Sequence, residues 1–557
     1  MRCVCYNFEM TQAKTAILWA GLLLAFCFML FLSMPYLLLT PSTDENIFLY
    51  EGLRVAEGAV PYRDFFDFIW PGVLYLTAFI IKLSGGVSLI VLRGATLLTL
   101  LAGLAVVWDM ARGFLPKGWR VFLIMFLVMA HFPSSIQIQH HLFSGVSGLV
   151  AVYCLMRALR QPSQSGNKFM ILSGVFSFLA IWMTQTLGAL LIIAINIFFI
   201  LLNHGNFQNS LRQAKYYYVA LLTPALLWLI YMLLSGSLQG WWQCTMLWPF
   251  QGGYARTTSF WYMGNFLTQF QTLPIAFVSI EFLLQSVFAL VFFVLPLLAL
   301  GYACVVIVSR CRSLRQNKPK NKSKTDWELL LLCLTGVAFF CATLSYPSTD
   351  HFVYDGWILF LLAAICLHRI IPKRCLSEST LVLLSSVVFL GFLLASARNS
   401  QALYSMPTLT SFGTLEKQYY KRTDPETASA LNQMITYIHQ QLSDNKGKKT
   451  DLFVYNVSPE FYLLTDTRNP TRLQVTLSVY DTPEQLQAVN DSLRQSLPRF
   501  ILYDTKDVNM FGNDPRFKNL RSVDYHLYGI QNLLAQHYRL VASVKQYYLY
   551  QRVENTP

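Results

Sequence analysis

Eleven stretches of this chain are apolar for long enough to cross a lipid bilayer, and no other feature constrains the fold as much. A spanning helix needs about 20 mostly apolar residues, because the hydrocarbon core is about 30 Å thick and satisfies no backbone hydrogen bond. The stretches cover about 15–39, 88–111, 119–138, 142–159, 169–184, 187–203, 216–235, 279–308, 327–345, 352–370 and 378–396. The first is too long for an ordinary signal peptide. The run 72–83 is too short to span and reads as an interfacial helix. Only 13% of the residues are charged and 54% are hydrophobic. Soluble proteins carry about a quarter charged residues, so a purely soluble enzyme is excluded. The expected architecture is a polytopic α-helical membrane protein with about eleven transmembrane helices over residues 1–396. A polar part, 397–557, follows.

The net charge of +14 could point to nucleic acid, but its distribution decides otherwise. Residues 397–557 hold 18 of the 43 Lys+Arg and 15 of the 29 Asp+Glu, a balance of +3, so +11 belongs to the apolar part. There the basic residues gather on one side of the spans. Twenty of them, from Arg2 and Lys14 through Arg112, Arg160, Lys215 and the run Arg310–Lys324 to Arg374, fall in alternate connections. The opposite side has Arg54, Arg63, Lys82 and Arg256, with Arg93 just inside a span. Basic loops stay cytoplasmic, so the N-terminus is expected inside and residues 397–557 outside. Nucleic acid drops out as a partner.

The carboxylates behave in the opposite way. Asp44, Glu45, Glu51, Glu57, Asp64, Asp67, Asp350 and Asp355 all fall in the expected outer loops, which marks that face as the candidate site. The first outer loop, about 40–87, is the densest. Thr43 or Asp44 can cap a helix over about 45–57, with Ile47, Tyr50, Leu53 and Arg54 on one face, lying on the membrane. Gly58 stops it, and Pro61 and Pro71-Gly72 set turns.

These residues carry a resemblance. Asp44-Glu45 after a first span, then Glu57-Gly58-x-x-Pro61-Tyr62-Arg63-Asp64-Phe65-Phe66-Asp67 and Pro71-Gly72, resembles the GT-C superfamily of polytopic glycosyltransferases that use polyprenyl-phosphate-linked sugars. The nearest branch is the bacterial one related to protein mannosyltransferases and to the aminoarabinose transferase acting on lipid A. The resemblance implies that Asp44 is the general base, taking a proton from an acceptor hydroxyl that attacks the anomeric carbon with inversion. It implies that Glu45 orients Asp44 or the acceptor. A departing lipid phosphate needs cationic partners, and Arg63 is the nearest in sequence. Asp64 and Asp67 would hold Arg63 or sugar hydroxyls, and Tyr62 joins them on the donor side. The plain alternatives are a helix cap for Asp44 and an internal salt bridge for Arg63.

Further candidates lie in the other outer turns. His140-His141 precede a span; adjacent histidines diverge, so they chelate a metal poorly without a third ligand. The resemblance implies that one of them meets the donor phosphate or sugar. Thr184-Gln185-Thr186-Leu-Gly188 stands where the family often has Lys-Gln-x-x-Gly, so Gln185 remains and the lysine is replaced by Thr184. Asp350-His351 matches a family Asp-His element for sugar and phosphate. The aromatic loop 236–278, with Trp241, Trp242 and Trp248, reads mostly as an interfacial belt, and its Arg256 is a second phosphate candidate. Arg93 is expected to snorkel to a headgroup. No cofactor or divalent metal is required.

The polar end alternates helix and strand signals. Helices open at Asp424-Pro425-Glu426 and Thr482-Pro483-Glu484, and strands fit 451–456, 500–503, 540–544 and 547–552, so a small extracytoplasmic α/β domain is expected. Asn456-Val-Ser458 and Asn490-Asp-Ser492 match glycosylation triplets. The function expected is an inverting transfer of a sugar from a polyprenyl-phosphate donor to a glycan, lipid or protein hydroxyl on the outer face of the membrane, a bacterial inner membrane facing the periplasm. A lipid-linked sugar transporter or flippase would show internal repeats and polar midplane residues; a non-catalytic envelope scaffold has no use for the carboxylate loop. The absence of a WWD-type signature disfavours transfer to asparagine.

Overall fold

In the computed structural model the described residues are 43–131, 136–161, 163–203, 206–251, 280–315, 323–344, 349–371, 377–405, 410–412, 421–423, 425–444, 449–456, 458–476, 481–505 and 525–553. The first expected span, 15–39, and Arg256 lie outside them. Among the described residues seven helices are long and apolar enough to cross a membrane: Leu89–Ala111, His140–Arg160, Ser165–Met183, Gln185–Leu202, Lys215–Leu234, Val294–Ser313 and Lys324–Thr343. Three other expected spans take a different form. The run at 119–138 gives the 15-residue helix Lys117–His131. The run at 352–370 is broken into Thr349–Asp355 and the 14-residue Trp357–Ile370. Gly356 sits at the break, where a Cβ would lie 2.0 Å from the Phe352 carbonyl oxygen, so no other residue fits. The last run becomes Glu378–Ser405, a 28-residue helix that passes through the 396/397 boundary expected between the two parts.

His140–Arg160 and Lys324–Thr343 form the axis of the bundle, each 72% buried, while Lys215–Leu234 and Val294–Ser313 stand at the rim at 17%. The rim helices turn Leu222, Leu226, Leu227 and Val305 outward. Apolar faces this large mark a surface that meets a membrane or a partner rather than water. At the end of the bundle that bears Arg112 and Arg160, ion pairs tie helices together: Arg160 with Glu328 at 2.6 Å, and Asp109 with Arg112 at 3.1 Å and Arg157 at 3.4 Å.

The opposite end is built around the first loop. Helix α1 (Thr43–Ala56) packs on helix α2 (Gly72–Leu83). Their approach is closest at Gly52, where a Cβ would lie 2.4 Å from Thr77 Cγ2. Gly58, at φ +99°, ends α1 in a conformation that glycine adopts without strain. Helix α2 has 12 residues, about 18 Å, so it does not span. The expectation that α1 lies on the membrane is corrected. Its Phe48, Leu49 and Tyr50 are buried, in one apolar cluster with α2 and with residues 428–502. Tyr50 stacks on Tyr462 with ring centroids 4.8 Å apart, and its hydroxyl accepts a hydrogen bond from Asn469 N at 2.8 Å. Asn46 donates to Glu460 (3.2 Å), Arg54 to Gln474 (2.9 Å), and Arg468 pairs with Glu57 (2.8 Å). The expected face is not singled out: Ile47, Leu53 and Arg54 are half-buried, whereas Glu45, Asn46, Phe48, Leu49 and Glu51 on the other sides of the helix are buried against protein.

The chain after 424 alternates helix and strand as read from sequence. Helices Pro425–Asp444 and Pro483–Ser496 flank strands β1 (Leu452–Tyr455), β2 (Phe500–Asp504), β3 (Tyr538–Val544) and β4 (Tyr547–Arg552). The sheet order is β1-β2-β4-β3, with β1 and β2 parallel and the other pairs antiparallel. Thr482 and Gln485 form a capping box at the start of Pro483–Ser496. Asn456, in one glycosylation triplet, is buried and donates its amide to the Asp504 carbonyl, which removes it from any modifying enzyme.

Helix Ser163–Met183 turns into Gln185–Leu202 with Thr184 alone between them. Gly188 makes this reversal fit, since a Cβ there would lie 2.1 Å from Ile181 Cα. Gly188→Ala must push the two helices apart at their turn. Overpacking of this kind costs about 3 kcal/mol, and a correspondingly lowered midpoint in thermal unfolding of the detergent-purified protein checks it.

Candidate active site

The first-loop end of the bundle gathers several helix starts. Asp44 lies in the first turn of α1 and its side chain is exposed. Gln139 donates to its Oδ2 at 3.3 Å. Gln139 is the residue just before helix His140–Arg160, so the same chain segment delivers Gln139 to Asp44 and both histidines to the site.

Glu45 faces the other way and is fully buried. Arg93, also fully buried, donates Nε to Oε1 at 3.0 Å and an η-nitrogen to Oε2 at 2.5 Å, and Ile138 N adds a bond to Oε1 at 3.3 Å. Arg93 therefore does not snorkel. A fork-to-fork pair in the interior holds it, and the same pair turns Glu45 away from Asp44 toward the bundle.

The histidines come together across three segments. His140 Nδ1 lies 2.8 Å from Thr184 Oγ1, in the turn between two helices. His141 Nδ1 lies 2.9 Å from Oδ2 of Asp355, which is wholly buried at the end of Thr349–Asp355. The His140 and His141 rings are 4.2 Å apart, and His351 stands edge-on to His141 at 4.3 Å. Phe48 of α1 meets His140 edge-on at 5.7 Å, closing the ring of contacts back to Asp44's helix. The helix that bears Asp350 is described, but the side chain of Asp350 is not.

Other residues read as donor-binding have framework contacts. Arg63 is bound by Asp64 through Nε at 2.7 Å and an η-nitrogen at 2.8 Å, and it reaches the Ser235 carbonyl at 3.2 Å. Asp64 also accepts from Val60 N at 2.7 Å. Tyr62, at φ +67°, is buried and donates its hydroxyl to the Ile69 carbonyl at 2.6 Å, while its own carbonyl accepts from Arg472 at 2.7 Å. Gln185 bonds the backbone of the first loop in both directions, to Phe68 O at 3.1 Å and from Trp70 N at 3.3 Å. The aromatic belt is in part an internal seam: Trp241 meets Trp70, and Trp248 meets Phe66 and Phe68 and donates Nε1 to Gln485 Oε1 at 2.8 Å.

Asp67 is buried beside Glu51. Burial pushes the Asp67 carboxyl up to about 7, and burial with the nearby Asp67 holds Glu51 well above the usual carboxylate range, so the pair keeps a proton near neutrality. Unfolded carboxyls release theirs near pH 4. The folded state thus binds this proton more tightly, and its stabilising effect is complete below about pH 4 and lost as pH rises to about 7. Between pH 5.5 and 8 the loss is about 2 kcal/mol. Thermal unfolding should show a lower midpoint at pH 8 than at pH 5.5, and Glu51→Gln together with Asp67→Asn should flatten the difference.

Among the described residues no group of three His, Cys, Asp or Glu side chains is placed to hold a metal ion. Two residues of the cluster escaped the sequence reading as site residues: Gln139, whose place before the histidines was a usable signal, and Asp355, whose partner lies 214 positions away and left none.

No protein-family model matches the chain, and no curated protein matches it by sequence. Among solved structures it is similar to ArnT from Cupriavidus metallidurans bound to undecaprenyl phosphate, with a TM-score of 0.55 and 13% identity over 97% of this chain and 99% of that one. The same protein in the apo state gives 0.55 at 11% identity over 96% and 98%. An oligosaccharyltransferase from Archaeoglobus fulgidus gives 0.46 at 11% identity over 91% of this chain and 69% of that one, a score too low to carry weight. At such identities the end-to-end match with ArnT is a match of architecture: this chain has the GT-C fold.

Proposed function

We propose that the protein is a membrane glycosyltransferase that moves a sugar from a polyprenyl-phosphate donor to a hydroxyl acceptor on the extracytoplasmic face, with inversion at the anomeric carbon. The observation that carries this reading is an exposed carboxylate, Asp44, fixed by Gln139 beside a cluster of three histidines. It lies in a fold shared with a protein crystallised with undecaprenyl phosphate. Asp44 accepts the proton of the acceptor hydroxyl as its oxygen attacks. Arg63 is paired with Asp64, and the described groups gathered beside the Asp44 helix are the imidazoles, which are assigned to the phosphate side. The distribution of basic residues supports placing this end outside, with the chain after 397 over it. Membrane lipids surround the bundle, and the acceptor is a glycan, a lipid or a protein side chain.

Proteoliposomes containing the full chain test this reading. They are given a panel of radiolabelled undecaprenyl-phosphate-linked sugars with envelope extract. Label passing to an extract component is the expected result. No transfer from any donor, with movement of the lipid across the bilayer instead, would replace the enzyme by a transporter.

A further inference from the structure

The reaction needs a group that receives the departing phosphate. Of the candidate arginines among the described residues, Arg93 is paired with Glu45 in the interior and Arg63 with Asp64. His141 has the right setting. Its Nδ1 is 2.9 Å from Asp355 Oδ2, and the other oxygen of that wholly buried carboxyl has no hydrogen-bond partner among the described residues. A buried carboxylate is tolerated when an opposite charge is paired with it, and the imidazole of His141 is the group bonded to this one. The bond also fixes the tautomer: Nδ1 bears its hydrogen toward Asp355, and Nε2 becomes the working nitrogen. His141 is 16% exposed, and Nε2 has no hydrogen bond among the described residues. The titratable groups facing His141 are Asp355 and His351 on Thr349–Asp355 and His140 on its own helix; the Nδ1 of His140 is occupied by the hydroxyl of Thr184.

We propose that His141 is the acid on the leaving-group side and that Asp355 is the residue that positions and charges it. The bond from the anomeric carbon to the phosphate oxygen breaks, its electron pair stays on that oxygen, and the oxygen accepts the proton of His141 Nε2. The acceptor oxygen bonds the anomeric carbon and gives its proton to Asp44. Exchange with water restores both side chains. This inference rests on the transfer reaction proposed above and assigns its second proton.

The test compares single-turnover transfer from a radiolabelled undecaprenyl-phosphate-linked sugar across pH, for the full-length wild type, Asp355→Asn and His141→Gln. Affinity for undecaprenyl phosphate alone is measured in parallel. His141→Gln is expected to slow transfer by about 100-fold or more and to abolish the alkaline limb of the rate profile. Asp355→Asn is expected to slow transfer at least about tenfold and to move that limb to lower pH, since an amide no longer favours the imidazolium. Affinity should change less than the transfer rate, as the larger part of the lost interaction belongs to the transition state. A merely structural Asp355 would lower the active fraction and leave the profile in place; an unmoved limb therefore overturns the inference. If Asp355→Asn does not fold, a retained alkaline limb in His141→Gln overturns it. A wild type that transfers no sugar overturns the reaction and this inference together, whereas wild-type transfer with unmoved profiles overturns the inference alone.

Discussion

Asp44→Asn should lower sugar transfer by about 10²–10⁴-fold, the range for removing a positioned general base, while the protein remains folded. Asp44 is exposed, and its one described side-chain partner is Gln139. Asparagine keeps the shape and an acceptor for Gln139 but takes no proton. A surface substitution of this kind changes stability by less than about 0.5 kcal/mol, so unfolding midpoints of variant and wild type should coincide. Gln139→Ala should give a smaller loss, because Asp44 then keeps its basicity and loses only its aim. The measurement is initial transfer rate at saturating donor, beside an unfolding curve on the same preparation. Activity above a tenth of wild type in Asp44→Asn would remove Asp44 from the role of base. Glu45 would be a poor successor, since Arg93 and Ile138 N occupy its carboxylate.

The second large effect is on stability. Glu45→Ala or Arg93→Ala should each destabilise the protein by about 3–5 kcal/mol, the cost of leaving one charge of a buried pair without its partner. Both side chains are fully buried, so water cannot replace the missing group. Removing both charges is a different matter. Glu45→Leu with Arg93→Met should be less destabilising than either alanine variant, because no uncompensated charge remains. A double-mutant cycle of Glu45→Leu and Arg93→Met, singly and together, read by thermal unfolding checks this, and destabilisations that simply add would show the two residues to be independent. Activity in the charge-free variant tells whether the pair also sets the angle of α1, and so the place of Asp44.

What could be read from the residues divides along a physical line. Apolar runs announce helices because each residue contributes locally to the signal; Leu89–Ala111 and Gln185–Leu202 fall almost where their hydrophobicity places them. The acidic loop and the histidine pair stood out for the same reason, since charge is rare in such a chain. Pairings across the sequence are another matter. Arg93 looked like a snorkelling residue because nothing near it in sequence is acidic; its partner is 48 positions earlier. Asp355 looked like one more outer carboxylate until the fold brought His141 to it. Helix α1 shows the subtler failure. Its pattern suggests one covered face lying on lipid, whereas the fold covers the helix on most sides, with Thr77 of α2, with Arg93 and with Tyr462 and Glu460. Gln185 and Tyr62 carry polar groups suited to sugar, yet the fold spends them on the backbone of its own first loop.

The contacts of α1 with the far end of the chain bear on how the protein is made. Asn46 and Glu460 are 414 residues apart. At about 5–20 residues per second of synthesis, roughly 20–80 seconds pass between the appearance of one and of the other. During that interval the helix that carries Asp44 has α2 and Arg93 beside it but lacks the later residues that cover Tyr50, Arg54 and Glu57. The covering of α1 is therefore a late event in biogenesis. A chain released early would lack the residues that cover Tyr50, Arg54 and Glu57.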